Sequence, residues 1–203
     1  MKWGEFIISL MRKPVLLFAT ATTGVNRDDC LLAVAYKFIG GDNRSDVIFY
    51  SAPASCALNG VDYHRITMHT LSTKGLQAAE FTEAVNNLFK MGTPFSYNPG
   101  FQVSALTDMA DCSPGYVHDL PLLLKMASAR FAIPAEDLDK IATLPELEQL
   151  ASKMAGQPPP FKRLMRANNI EVDPYTDELP VVTNVQILTR LWEKLADTDL
   201  AAY

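Results

Sequence analysis

The stretch "PVLLFATATTG" constrains the fold more than any other. Residues 15–20 are apolar or small, with no polar stripe, between Pro14 and the turn Thr22-Thr23-Gly24. A short unbroken run of this kind reads as a strand buried inside a sheet, which needs other elements to cover it. The chain supplies them. Residues 31–38 ("LLAVAYKF") read as a second strand and residues 47–50 ("VIFY") as a third. The turn "GGDNRSD" between them is a hairpin signal, so the sheet opens as an antiparallel meander.

The rest of the chain alternates. "DYHRITMHTLSTKG" reads as a loop with a short helix, and "LQAAEFTEAVNNLFK" as an amphipathic helix with Leu76, Ala79, Val85, Leu88 and Phe89 on its inner face. "TPFSYN" and "GYVHDL" read as strands, each followed by a helix, "FQVSALTDMA" and "PLLLKMASARF". The order β-β-β-α-β-α-β-α predicts a mixed sheet of about five strands with helices on its faces. Beyond residue 134 the chain reads as helical, through "LPELEQLASKMA", "FKRLMRANN" and "TNVQILTRLWEKLAD". Thr183 is the expected N-cap of the last helix, whose core positions are Val185, Leu188, Leu191, Trp192 and Leu195. We therefore expect one domain over residues 1–203, with a core at 14–133 and a helical part at 134–203.

Composition narrows the function. At 203 residues and 48% apolar content, one well-formed core is affordable. A net charge of -5 argues against broad electrostatic binding of duplex DNA, though a local basic groove stays open. Three widely spaced cysteines without a CxxC pair argue against a disulfide framework or a zinc site, and make a reducing cytoplasm the expected location. Arg12, Lys13 and Pro14 split the apolar N-terminal segments, so no signal peptide and no membrane span are expected. The sequence holds no Walker loop, no GxGxxG, no GxSxG and no convincing Ser/His/Asp set.

Five segments, in order, resemble the DnaQ-like (DEDD) 3′–5′ exonucleases of the ribonuclease-H-like fold. "LLFATATTG" resembles their first motif, "HRITMHTLSTKG" with "FTEAVNNLF" the stretch before the second, and "FSYNPGFQVSAL" the second motif itself. "YVHDLPLLLKMA" resembles the following strand and helix, and "YTDELPVVTNVQILTRL" the third motif. The likeness runs from about Pro14 to Leu195. It implies an α/β fold of the ribonuclease-H-like class with an added C-terminal helical region. In such enzymes four carboxylates hold two Mg²⁺ or Mn²⁺ ions, which clamp the attacking and leaving oxygens of a phosphodiester. A His, or in a variant group a Tyr, orients the water.

Carried onto this chain, the four acids are missing. The first pair falls on Ala19 and Ala21, and the second-motif acid on Gln102 beside matching Asn98 and Phe101. The third-motif His falls on Tyr175 and its acid on Pro180, unless the register shifts to bring in Asp177 or Glu178. Methyl groups cannot ligate a metal, and an amide alone is a weak ligand for a hard cation. The resemblance therefore implies no catalytic residues and no metal cofactor here. Loss at three separated motifs fits natural decay better than an engineered knockout of the first.

What the resemblance leaves is a groove for a single-stranded nucleic acid or a nucleotide, or a docking face for a replication or repair protein. Its candidate residues are Thr22, Thr23, Gly24, Asn98, Phe101, Gln102 and Tyr175, the last read as a stacking or packing residue. Thr22-Thr23-Gly24 reads equally as a tight turn needing glycine's freedom. Asn98 reads as a clamp on its own turn, Phe101 as core, and His64 and His69 as surface or capping groups. Asp119 reads as a helix N-cap. Lys162, Arg163 and Arg166, with Lys125, Arg130 and Lys153, form either a strand-binding edge or a solvated face. Two alternatives stay open: an active exonuclease using displaced acids such as Asp28, Asp29, Asp119 or Asp177, and a scaffold that touches no nucleic acid.

Overall fold

The computed structural model describes residues 1–26, 29–40, 47–51, 60–128, 133–158, 160–171 and 177–200. In chain order its elements begin with α1 (Trp3–Ser9), β1 (Val15–Thr22), β2 (Leu31–Phe38) and β3 (Val47–Ser51). Next come α2 (Val61–His64), α3 (Met68–Lys74), β4 (Gly75–Leu76), α4 (Ala78–Met91), β5 (Thr93–Ser96) and α5 (Pro99–Ala110). The chain continues with β6 (His118–Asp119), α6 (Leu120–Ser128), α7 (Ala135–Leu138), α8 (Leu144–Ala155), α9 (Phe161–Ala167) and α10 (Pro180–Asp197).

Among the described residues the sheet has six strands in the order β4-β3-β2-β1-β5-β6. β1 to β3 are the antiparallel meander, and β5, β6 and β4 join in parallel. The sixth strand is the two-residue β4, too short to show a period in the sequence. β1 runs through the middle and is buried on both faces from Val15 to Ala21. Its alternation sorts the core. Leu16 and Phe18 pack with Phe81, Val85, Leu88 and Leu106, under α4 and α5. Leu17 joins Trp3, Leu123, Leu188 and Trp192 on the other face, and Ala19 and Ala21 join Ile66, Leu71, Val181 and Val185 there.

Small residues let α10 lie close. A Cβ on Gly4 of α1 would stand 2.7 Å from Cβ of Ala196 in α10. The two helices are also joined where the Trp3 amide donates to the Thr198 carbonyl at 3.0 Å.

Three local expectations change. α10 starts at Pro180, because proline's fixed φ suits the first helical position, and Thr183 is inside the helix with Leu179 as its N-cap. The inner face of α4 runs through Phe81, Val85, Leu88 and Phe89, while Leu76 lies in β4 and Ala79 is exposed. And Cys30 is disulfide-bonded, whereas Cys112 is a buried free thiol. Long-range pairing of this kind leaves no trace in cysteine spacing.

Gly92 links α4 to β5 at a point where a Cβ would lie 2.6 Å from Leu16 Cβ and 2.7 Å from Phe38 Cε1. Gly100, in the first turn of α5, has nothing within 4 Å. Gly92→Ala is expected to lower unfolding free energy by about 1–3 kcal/mol through overpacking. Gly100→Ala should change it by less than about 0.5 kcal/mol. Urea titration followed by tryptophan fluorescence checks the pair, and equal effects would contradict the packing described.

Candidate nucleic-acid groove

The C-terminal end of β1 opens into a cavity of about 480 Å³. Its walls are the turn after β1 (Thr22, Thr23, Gly24, Val25), the α2 segment (Gly60, Tyr63, His64), the start of α5 (Asn98, Phe101) and the start of α10 (Pro180, Val181, Asn184). Thr20, Ala21 and Tyr97 complete the lining.

The turn is locked by side chains. Thr23 Oγ1 donates to Asp29 Oδ1 at 3.2 Å and accepts from the Cys30 amide at 2.9 Å. Asp29 Oδ2 accepts from the Asn26 amide at 2.7 Å, and Thr22 Oγ1 donates to the Gly24 carbonyl at 2.6 Å. Gly24 does not have a positive φ. It is needed because a side chain there would collide with the Asp29 carboxylate. So the expectation of glycine flexibility is replaced by one of close approach.

Asn98 is left-handed (φ 47°, ψ 60°), a conformation asparagine tolerates better than most residues. Its side chain makes no capping bond, contrary to the clamp expected, and lines the cavity instead. Phe101 also lines it and is half-buried, not core.

Gln102 lies under the groove and is fully buried. β5 pairs with β1 only as far as Leu17. Past that point β1 has lost its strand neighbour on that side, and side chains take over. Ser96 Oγ donates to the Phe18 carbonyl at 2.6 Å. Gln102 Oε1 accepts from the Thr20 amide at 3.0 Å and from Thr20 Oγ1 at 2.9 Å. Gln102 Nε2 has no hydrogen-bond partner; the Tyr97 phenol is near enough to feel the amide but outside bonding geometry.

Ala19 is fully buried, and Ala21 is 8% exposed at the groove floor. Both sit against Val181 and Val185 of α10. Facing them, Asn184 Nδ2 donates to the Tyr97 hydroxyl at 3.2 Å. Burial raises the Tyr97 phenol, so it stays a neutral acceptor and donor near pH 7. Tyr97 in turn stacks on Phe161 of α9, with ring centroids 4.2 Å apart. His64 is buried here, not at the surface. Its Nδ1 accepts from the Ile66 amide at 3.0 Å, which places the proton of the neutral ring on Nε2.

The residues therefore do not fit a two-metal centre. The floor is methyl groups, the Gln102 carbonyl is occupied by Thr20, and the other polar groups of the described lining are amides, hydroxyls and the single His64 ring, whose Nδ1 is taken by the Ile66 amide. Among the described residues no three His, Cys, Asp or Glu side chains gather to hold a cation. Of the displaced acids, Asp29 is tied into its turn and Asp28 lies outside the described residues, as does Tyr175. Pro180 lines the groove, but the third-motif position that reaches into it from the middle of α10's first turns is Asn184. The sequence held a signal for it: Asn184 sits beside the buried Val181, Val185 and Leu188 face once the helix is begun at Pro180.

Asp119 stands outside this groove. Its Oδ1 accepts from the Leu122 amide at 3.0 Å, the N-cap expected, and its own amide donates to Glu148 at 2.6 Å. Burial raises its carboxyl to about 6 against the Leu122 bond, with a smaller push from Glu148. The folded state thus holds this proton more tightly than the unfolded chain, whose ordinary value is 3.8. Stability from this group is present at low pH and is lost as pH rises through the window from about 4 to 6. Asp119→Asn keeps a capping oxygen but cannot titrate. The unfolding free energy of the variant relative to the parent should rise across that window in urea titrations at several pH values; a flat difference would contradict the assignment.

No family model matches this sequence, and no curated protein matches it. Structure comparison does find relatives. Escherichia coli exonuclease I in complex with a dT13 oligonucleotide superposes with TM-score 0.53 at 19% identity, covering 92% of this chain and 41% of that one. The zinc-bound complex of the E. coli enzyme with single-stranded DNA gives 0.52 at 19% identity, covering 91% and 40%. Exonuclease I from Methylocaldum szegediense gives 0.50 at 16% identity, covering 88% and 40%. The chain thus spans about two-fifths of the length of these proteins. The chain, a mixed sheet flanked by helices, thus shares the ribonuclease-H-like fold of exonuclease I.

Proposed function

We propose that this chain is an exonuclease-like protein that holds a single-stranded nucleic-acid end or a nucleotide in the β1 groove and does not cleave it. The observation that carries the reading is the neutral groove: Ala21 on its floor, Asn184 in its wall, and Ala19 and Gln102 sealed beneath it. A cavity with no carboxylate among its described lining residues has no means there of assembling paired divalent cations. It keeps what a strand end needs for contact. Tyr63 is 84% exposed and Val25 78% exposed at the rim, where an unstacked base would find an aromatic and an apolar face. Tyr97 and Phe101 add aromatic edges, and Asn98, Asn184 and the threonines offer hydrogen bonds to base or sugar. Lys162 and Arg163 follow Phe161, which stacks on Tyr97, so the exposed cations of α9 lie close to the same wall.

The similar E. coli structures hold a dT13 oligonucleotide in one case and single-stranded DNA in another, which supports a strand as the occupant. A replication or repair protein remains a second class of partner, reached through the same reading.

Two measurements test it. In fluorescence anisotropy and gel assays with 3′-labelled single-stranded DNA and RNA, we expect saturable binding and no shortening in Mn²⁺ or in EDTA. Shortening that requires Mn²⁺ would restore the active-enzyme reading, and absence of binding would favour a scaffold.

The second measurement addresses the floor. Ala19→Asp places a carboxylate among Ile66, Leu71 and Val185. It should cost about 3–5 kcal/mol of stability as an unpaired buried charge, and MnCl₂ should not restore it. Recovery of the urea midpoint by Mn²⁺ alone would reveal a latent metal site and overturn the reading.

A further inference from the structure

The opposite end of β1 carries a second cavity, and it differs from the groove in charge. It is about 620 Å³ and is framed by the α1–β1 connection (Leu10, Met11, Arg12, Lys13), the end of α4 (Asn86, Phe89, Lys90) and the start of β5 (Gly92, Thr93, Pro94). The segment before β6 (Ser113, Pro114, Gly115, Tyr116) and the start of α8 (Thr143, Leu144, Pro145) close it. Among the described residues the lining contains Arg12, Lys13 and Lys90 and no carboxylate, in a chain whose net charge is -5. Arg12 and Lys13 are exposed and form no ion pair among the described residues. Lys90 donates only to the Asn87 side chain, at 3.2 Å.

Two acids stand beside the lining and both are already engaged: Glu146 Oε2 accepts from the Ala142 and Thr143 amides at 2.9 and 3.0 Å. Glu148 is buried, its Oε2 3.2 Å from His118 Nδ1 and its Oε1 accepting from the Asp119 amide. It therefore offers little compensation to the three rim cations.

The frame is also fixed before any ligand arrives. The Leu10 and Met11 amides donate to the Ile7 and Ile8 carbonyls at 3.1 Å, and the Thr93 amide donates to the Pro14 carbonyl at 2.8 Å. The Arg12–Lys13 pair is thus held between two pinned points. The Ser113 amide donates to Asn86 Oδ1 at 2.7 Å, which ties the Tyr116 segment to α4. Tyr116 is 60% exposed, with its ring tilted over His118 at 4.9 Å between centroids. Burial and the neighbouring Glu148 push its phenol to about 12, so it presents a neutral aromatic face.

Three uncompensated cations beside an aromatic face and an apolar wall match a phosphorylated nucleotide unit: the cations for the phosphate, Tyr116 for the base. The volume lies inside the range of small-ligand sites, roughly 300–1,000 Å³. We propose that this cavity binds a nucleotide through a phosphate monoester, supplied either by a free mononucleotide or by the phosphorylated end of an oligonucleotide. The site is independent of the groove and does not rest on its proposed function.

Isothermal titration with adenosine 5′-monophosphate, adenosine, and a dT10 strand with or without a 5′-phosphate tests the proposal on the full chain. We expect the mononucleotide or the 5′-phosphorylated strand to fill a site that adenosine and the unphosphorylated strand fill at least about tenfold more weakly, over and above strand binding in the groove, which needs no terminal phosphate. Binding of the mononucleotide assigns the free source, and binding of the phosphorylated strand alone assigns the strand end. Arg12→Glu with Lys13→Glu, and separately Lys90→Glu, should each weaken the phosphorylated ligand about tenfold or more while leaving the circular dichroism melt unchanged. Lys74→Glu, an exposed cation of α3 outside both cavities, should leave it unaffected. No phosphate-dependent binding of either ligand, affinity equal to that of adenosine, or the same loss in Lys74→Glu as in the Arg12, Lys13 and Lys90 variants would each overturn the assignment.

Discussion

The central strand has to satisfy its backbone after its neighbour ends. β5 leaves β1 at Leu17, yet β1 stays buried to Ala21. A buried amide or carbonyl without a partner costs as much as a lost hydrogen bond, so some other group has to finish the ladder. Ser96 does so for the Phe18 carbonyl, and Gln102 does so for the Thr20 amide and hydroxyl. This constraint shapes both fold and site. It pins α5 to the sheet, sets where the groove opens, and uses up the oxygen of the one side chain that resemblance would place at a metal.

The same strand divides the groove from its foundation by alternation. Thr20 turns toward Gln102, while Ala19 and Ala21 turn toward Val181 and Val185 of α10. Carboxylates on that face would need cations to offset their burial. With methyl groups there, α10 can pack directly onto β1, and the cleft above becomes a neutral space edged with aromatics. At the far end of β1 the cavity is lined instead by Arg12, Lys13 and Lys90. Eight residues of strand separate the two cavities by about 26 Å. They are therefore separate sites on one scaffold, one neutral and one cationic.

Much of this was legible in the chain. The run at residues 15–20, the meander and the α4, α5 and α6 helices follow from apolar period and turn residues alone. Thr22, Thr23, Gly24, Asn98 and Phe101 were identified by motif order, and they do meet in one cavity. The last helix was read as starting at Thr183, when Pro180 is its first residue, and Asn184 was not singled out. His64 was read as a surface or capping group; it does accept a backbone amide just past α2, but its burial went unseen because a lone histidine carries no pattern that reports it. The disulfide at Cys30 went unseen for a similar reason, since pairing depends on proximity in space.

Sequence by itself determined the order of the longer elements from β1 to α6, without α1 and β4, the family of folds that order resembles, and the absence of acids at Ala19, Ala21 and Gln102. These are properties of local pattern and residue chemistry, which need no coordinates. Only the tertiary structure decided which amide reaches into the groove, that Gln102 completes the β1 ladder, and that Arg12, Lys13 and Lys90 share one cavity. Residues 13 and 90 are far apart in the chain, and charge acts through space. No local periodicity can carry information about groups that β1–β5 pairing brings together.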